Sequence, residues 1–285
     1  MPYLLHFMIM LFIYIVMALS WNLISGYCGQ IALSHAAFFG IGAYTFALTL
    51  VADTHPLIGL ILGGITASFF ALIISPSLRL GKAYFAAITL LLAEVMRTVM
   101  INWRASGGAS GLVLEPFPGH TLTNSYLGAL LLMTSTLVAT YIIVNSRIGL
   151  GFICIRENEY AAAAIGIPVL LYKVIAFCVS GFIAGVAGSY YASYILYIEP
   201  YSAFSFSWLG SAAFSCLIGG VGSLIGSIIG ASIYLLVSEM FLGFGAFSTL
   251  IIGILIIVVV LFFPRGVVGA LEKLVKRTFL SSQTK

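Results

Sequence analysis

Apolar residues in this chain come in long unbroken blocks separated by short polar islands, with no sustained alternation. Blocks near 4–24, 31–51, 57–75, 83–102, 126–145 and 174–198 hold few or no charges. Each has about the 20 residues that a helix needs to cross a bilayer. Between Glu199 and Glu239 lie 39 residues with no charge at all. As one helix they would run roughly 58 Å at 1.5 Å per residue, far beyond a hydrocarbon core of about 30 Å. The chain must therefore turn back, and GGVGSLIG at 219–226 is the natural place; in an alternative reading 208–219 is re-entrant. A last block, 246–263, stops at Pro264-Arg265. The pattern predicts an all-α, polytopic transmembrane bundle of about eight or nine spans, with a glycine-broken element near 219–226. It divides into a membrane domain, 1–263, and a basic tail, 264–285. The opening MPYLLHFMIMLFIYIVMALSW has neither a basic first region nor a small-x-small cleavage site, so it reads as a retained span.

Composition agrees: 62% of residues are hydrophobic and 7% charged, against roughly a quarter charged in a soluble domain. The basic residues then orient the bundle. Loops 76–82 and 146–173 and the tail 264–285 carry ten of the twelve Lys and Arg, whereas Arg104 stands alone opposite and Arg97 lies inside a span. An excess of Lys and Arg marks cytoplasmic loops, so the N-terminus is expected outside and the C-terminus inside. The tail LEKLVKRTFLSSQTK is basic and amphipathic, suited to anionic membrane lipid rather than to nucleic acid. Cys28, Cys154, Cys178 and Cys216 are far apart with no CxxC pair, which gives no metal or disulfide framework.

One cytoplasmic island breaks the apolar rule. GFICIRENEYAAAAIGIP, 151–168, places Arg156, Glu157 and Glu159 within four positions, ahead of four alanines, Gly166 and Pro168. Alanines favour helix, glycine followed by proline stops it, and acids near a helix start complement its dipole. A single short helix over 152–165 is expected, with both acids toward its start.

Other polar groups lie within apolar blocks. Gln30, Ser34 and His35 sit among small residues in GQIALSHAAFFGIGAY; polar groups at that depth need partners or a water-filled cavity. They are candidates for the translocation path, with interhelical hydrogen bonding as the alternative. Glu94 and Arg97, three apart, share a helix face and are expected to pair, to hold the bundle or to serve the substrate path or a subunit interface. Gly181 and Gly185, and Gly219, Gly220, Gly222 and Gly226, have the spacing of tight helix packing or of a hinge. SGGASGL, 106–112, has no following Lys-Ser/Thr, so it is no nucleotide-binding loop; a flexible loop or re-entrant turn is expected. His6, His35, His55 and His120 are scattered. With no catalytic triad, metal-ligand cluster or haem motif, the chain is not expected to be an enzyme or to bind a metal or cofactor.

The island R-x-x-E-x-A-A with G-I after it, read here through Arg156, Glu159, Ala162, Ala163, Gly166 and Lys173, resembles the coupling loop of ABC-importer permeases. The form is similar to the LivM type of branched-chain amino-acid permeases. WNLISGYCGQIALSHAAFFGIGAY, GKAYFAAITLLLAEVMRTVMINWRASGGASGL, GFIAGVAGSYYA, FSFSWLGSAAFSCLIGGVGSLIGSIIGA and LFFPRGVVG extend the likeness over nearly the whole chain. Ala32 and Ser34 depart from the usual Ser and Gly, and the N-terminus is shorter than is common there. The resemblance implies a bacterial inner-membrane permease subunit importing branched-chain amino acids. It implies a second, homologous permease subunit, an external solute-binding protein and two cytoplasmic ATPase subunits, which carry ATP and Mg. Arg156, Glu157, Glu159, Ala162, Ala163 and Gly166 would couple to the ATPases, and SGGASGL would lie where the binding protein docks. Permeases for urea or short amides share this architecture. An ion-coupled secondary transporter fits less well, because Glu94 and Arg97 are the only charged residues well inside a span.

Overall fold

The computed structural model describes residues 2–241 and the positions 250, 253, 254, 266, 268 and 269. The expected span 246–263 and the basic tail lie outside the described residues, except for those isolated positions. Helix α1 (Pro2–Trp21) runs into a wider π-helical turn, Asn22–Tyr27, and a non-helical segment, 28–34, follows before α2 (His35–Val51). Next come α3 (Pro56–Ile74) with a 3-10 turn at Ser75–Arg79, α4 (Lys82–Asn102) and α5 (Leu122–Val144). The island holds α6 (Arg147–Glu157) and α7 (Glu159–Ala164), and α8 (Val169–Ile195), α9 (Pro200–Ala203), α10 (Phe206–Gly219) and α11 (Leu224–Met240) follow among the described residues. Among the described residues, six helical segments are long and apolar enough to span a membrane, and α2 and α11 are shorter apolar helices.

Local chemistry sets the ends. Pro56 opens α3, where its missing N–H costs nothing, and the His55 ring caps the turn from 3.3 Å. The charge-free stretch reverses as expected: α10 ends at Gly219, the chain turns through 220–223, and Ser223 Oγ caps α11 by accepting from Gly226 N at 3.0 Å. The expected span 31–51 is shorter than its apolar block, because helix begins only at His35. SGGASGL is not a loose loop. It folds into two 3-10 turns leading to β1 (Leu112–Val113), which pairs antiparallel with β2 (Tyr197–Ile198), Leu112 opposite Ile198. Gly111, at φ +74°, is pressed so close that a Cβ would lie 2.1 Å from the Ile198 carbonyl oxygen.

The centre of the bundle is the crossing of α2, α3 and α8, built on small residues. A Cβ on Gly42 would meet the Gly185 carbonyl oxygen at 1.9 Å, and one on Gly188 the Phe39 carbonyl oxygen at 1.9 Å. Ser189 Oγ donates across the same crossing to Gly42 O at 2.9 Å. Close backbone approach replaces the hydrophobic driving force that lipid removes. Around this centre α1 is largely buried, while α3, α4 and α5 leave most of their surface outward.

Candidate coupling site

The island folds as two helices, not one. Ser146 caps α6, its Oγ accepting from Ile148 N at 3.2 Å and Gly149 N at 3.4 Å. Phe152 and Ile155 anchor the helix in the core. Asn158 then breaks it: at φ −159° and ψ 112° its backbone is extended, and its Oδ1 accepts from Tyr160 N and Ala161 N at 3.0 and 3.1 Å. An asparagine held by its own downstream amides is a strong helix start, which outweighed the alanine run as a reason for continuity. The two acids are thereby separated. Glu157 ends α6, where the dipole disfavours it, and Glu159 opens α7, where the dipole favours it. Gly166, at φ +89° with nothing within 4 Å of a notional Cβ, closes the unit in the left-handed conformation glycine tolerates.

Glu159 faces inward. Its Oε1 accepts from Gln30 Nε2 at 2.8 Å and its Oε2 from Lys173 Nζ at 2.7 Å, so α7 is tied both to the segment before α2 and to the start of α8. Burial pushes the Glu159 carboxyl upward, but hydrogen bonds from Lys173 and Gln30 and the Lys173 charge outweigh it and hold the group below its ordinary value. Arg156 makes the second tie: Nη1 donates to Gly26 O at 3.1 Å, in the π-helical turn, and Nη2 donates to Glu157 Oε1 at 2.8 Å. Its backbone crowds Gly29, where a Cβ would lie 3.1 Å from Arg156 Cα and φ is +72°.

The same guanidinium approaches the glycine turn, since a Cβ on Gly222 would stand 2.8 Å from Arg156 Nη1. Asn22 completes this contact. Its Oδ1 accepts from Gly222 N at 2.8 Å, and its Nδ2 donates to Ser223 O and Ser227 Oγ, each at 3.0 Å. Gly219 and Gly226 touch backbone to backbone, and Gly266 packs on Gly220. Island, π-helical turn and glycine turn form one junction, beside a cleft of about 380 Å³ lined in part by Gln30, Lys82, Glu157 and Lys173. Of α7 and the two residues after it, Ala162 is buried, whereas Tyr160 is 90% exposed and Ala163, Ala164, Ile165 and Gly166 also face outward.

The other sequence candidates divide. Gln30, expected with Ser34 and His35, belongs to the junction. His35 Nε2 lies 2.9 Å from Ser180 Oγ, beside reciprocal Ser20–Ser180 hydroxyl-to-carbonyl bonds of 2.7 and 2.9 Å. Ser34 and His35 are fully buried, so in this conformation neither lines open space. Gly181 and Gly185 pack at the α2–α3–α8 crossing. Glu94 and Arg97 form an ion pair within α4, and Arg97 lies over the Tyr201 ring at 5.3 Å. Asn22, Gly29 and Ser180 escaped the sequence reading. Asn22 left a signal, an amide at the end of an apolar block that needs buried partners, but those partners lie some 200 residues away.

Apolar spanning helices carrying a polar, folded inter-span unit define a polytopic membrane protein of the all-α class. The family described as branched-chain amino acid transport system / permease component matches residues 3–260, and the chain belongs to it. The high-affinity branched-chain amino acid transport system permease protein LivM of Salmonella typhimurium is 28% identical over 90% of this chain and 68% of its own length. The protein of the same name from Escherichia coli is 27% identical over 89% of this chain and 67% of its own. The ribose import permease protein RbsC of Haemophilus influenzae is 35% identical over 34% of this chain and 31% of its own. No solved structure matches the chain.

Proposed function

We propose that the chain is a permease subunit of an ATP-driven importer for branched-chain amino acids. The observation that carries this reading is the two-sided geometry of α6–α7. Glu159 and Arg156 fasten the unit inward to the π-helical turn, the segment before α2 and the start of α8, while Tyr160, Ala163 and Ile165 stand free on its outer face. A unit rigidly joined on one side and open on the other transmits a push as a body. In this reading two cytoplasmic ATPase subunits bear on the outer face, a second, homologous permease subunit shares the pathway, and an external binding protein delivers the solute. The N-terminus lies outside and the C-terminus in the cytoplasm of a bacterial inner membrane, and this chain performs no bond chemistry. The two relatives aligned over about nine tenths of the chain are named for branched-chain amino acids, which favours those solutes over urea or short amides.

The test is uptake of labelled leucine by the complete complex in vesicles, with and without ATP, with urea and short amides as competitors. ATP-dependent leucine uptake is expected. Uptake of urea alone would overturn the substrate, and uptake by this chain without ATPase subunits would overturn the importer itself.

A further inference from the structure

Glu94 and Arg97 take no part in the junction, and their setting is unusual for charges in a spanning helix. Helix α4 buries a narrow face, Phe85, Thr89, Met96 and Met100, and the ion pair lies away from it. The Arg97 side chain is 31% exposed and that of Glu94 57%. At 1.5 Å per residue, Glu94 stands about 12 Å and Arg97 about 8 Å short of the Asn102 end of α4, inside a hydrocarbon core about 30 Å thick. A half-open carboxylate at that depth is costly against lipid and is expected to meet water, a partner charge or a pathway. Thr98 and Asn102 continue the Glu94 face at the next two turns, both exposed.

We propose that this face of α4 lines the solute pathway and that Glu94 and Arg97 receive the two ends of a zwitterionic α-amino acid, the carboxylate of Glu94 taking its ammonium and the guanidinium of Arg97 its carboxylate. The inference rests on the import reading above and deepens it. The pair is neutral as a unit, so it suits a solute with no net charge. A lone cation would be repelled by Arg97 and a lone anion by Glu94. Side chains three apart on a helix have Cβ atoms about 5–6 Å apart, a short separation that matches two charged groups on one α-carbon. With no solute present, the two charges satisfy each other. Tyr201, 55% exposed against Arg97, and Leu91, 61% exposed one turn from Glu94, offer apolar surface to a branched side chain.

The complete complex in vesicles tests this with Thr98→Cys, on the pathway face, and Leu127→Cys, 50% exposed on α5 at a similar depth. A charged, membrane-impermeant thiol reagent is applied against the background of the parent chain's cysteines. Modification of Thr98→Cys alone, slowed severalfold by leucine, is expected. Glu94→Gln and Arg97→Gln should each lower leucine uptake about tenfold, the worth of one charge-assisted hydrogen bond, and abolish that protection. Equal inertness of Thr98→Cys and Leu127→Cys would place the face against lipid or the second permease subunit and overturn the proposal. So would modification without leucine protection, together with parental uptake in both glutamine variants. A parent complex that imports no leucine would remove both readings together, which distinguishes that failure from failure of this site alone.

Discussion

The α2–α3–α8 crossing and the island junction are held together by opposite means. At the crossing, shape predominates, with few side-chain hydrogen bonds such as that from Ser189 to the Gly42 carbonyl. Gly42, Gly63, Gly185 and Gly188 have no side chain, and backbones meet where any Cβ would collide. At the junction nearly every contact is a named pair: Glu159 with Lys173 and Gln30, Arg156 with Gly26, Asn22 with Gly222, Ser223 and Ser227. Shape packing of this kind is stiff, because it has no second arrangement of similar energy. Hydrogen bonds and an ion pair can be exchanged for others as elements slide. The first region is therefore suited to be a fixed frame and the second to be the part that moves.

Replacing Gly42 with Val should break the frame most severely. The new side chain would have to displace the Gly185 carbonyl, 1.9 Å from the first added carbon, at about 3 kcal/mol or more; thermal unfolding of the purified complex should show a large loss in midpoint or no assembled complex. Lys173→Met should cost less, about 2 kcal/mol, because the pair it breaks is only partly buried, and it should act on function first. Complexes should assemble, while ATP-driven uptake uncouples from ATP hydrolysis; uptake at the parental rate would remove Glu159–Lys173 from the coupling route.

Acid should sharpen the contrast. A carboxyl held low in the folded state stabilises docking of α7 above its ordinary titration range, and that contribution disappears as pH falls through the folded value. Cleavage of the island by an added protease should rise as pH is lowered toward and below about 4, and Glu159→Gln should flatten the curve by raising cleavage at neutral pH. A parental curve unchanged by the substitution would rule out the tie. Gly166→Ala should have the smallest effect, about 1 kcal/mol. There the conformation, φ +89°, resists a side chain although space does not. A cost at Gly166 as large as at Gly42 would mean that crowding, not backbone angle, governs both.

Much of this was legible in the sequence. The charge-free run of 39 residues forced a reversal that fell at Gly219–Ser223, because bilayer thickness limits helix length whatever the neighbours. The helix stop at Gly166 was likewise local. The division of the island at Asn158 was also written locally, but the alanines beside it argued for one helix, and only the seating of Phe152, Ile155 and Ala162 in the core decided where the break served. Nothing local revealed that Gln30 would leave Ser34 and His35 to meet Glu159, 129 residues on.

The sequence by itself determined the solvent, most of the spanning helices among the described residues and several of their ends, since apolar block length, caps and glycines act through the nearest few residues. Tertiary structure alone decided which polar groups meet. A glutamate three residues from an arginine on an inter-span loop has no preferred direction until the segment before α2 brings it an amide and α8 a lysine. At a half-buried site, where water is only partly available, the partner that arrives decides what the charge does.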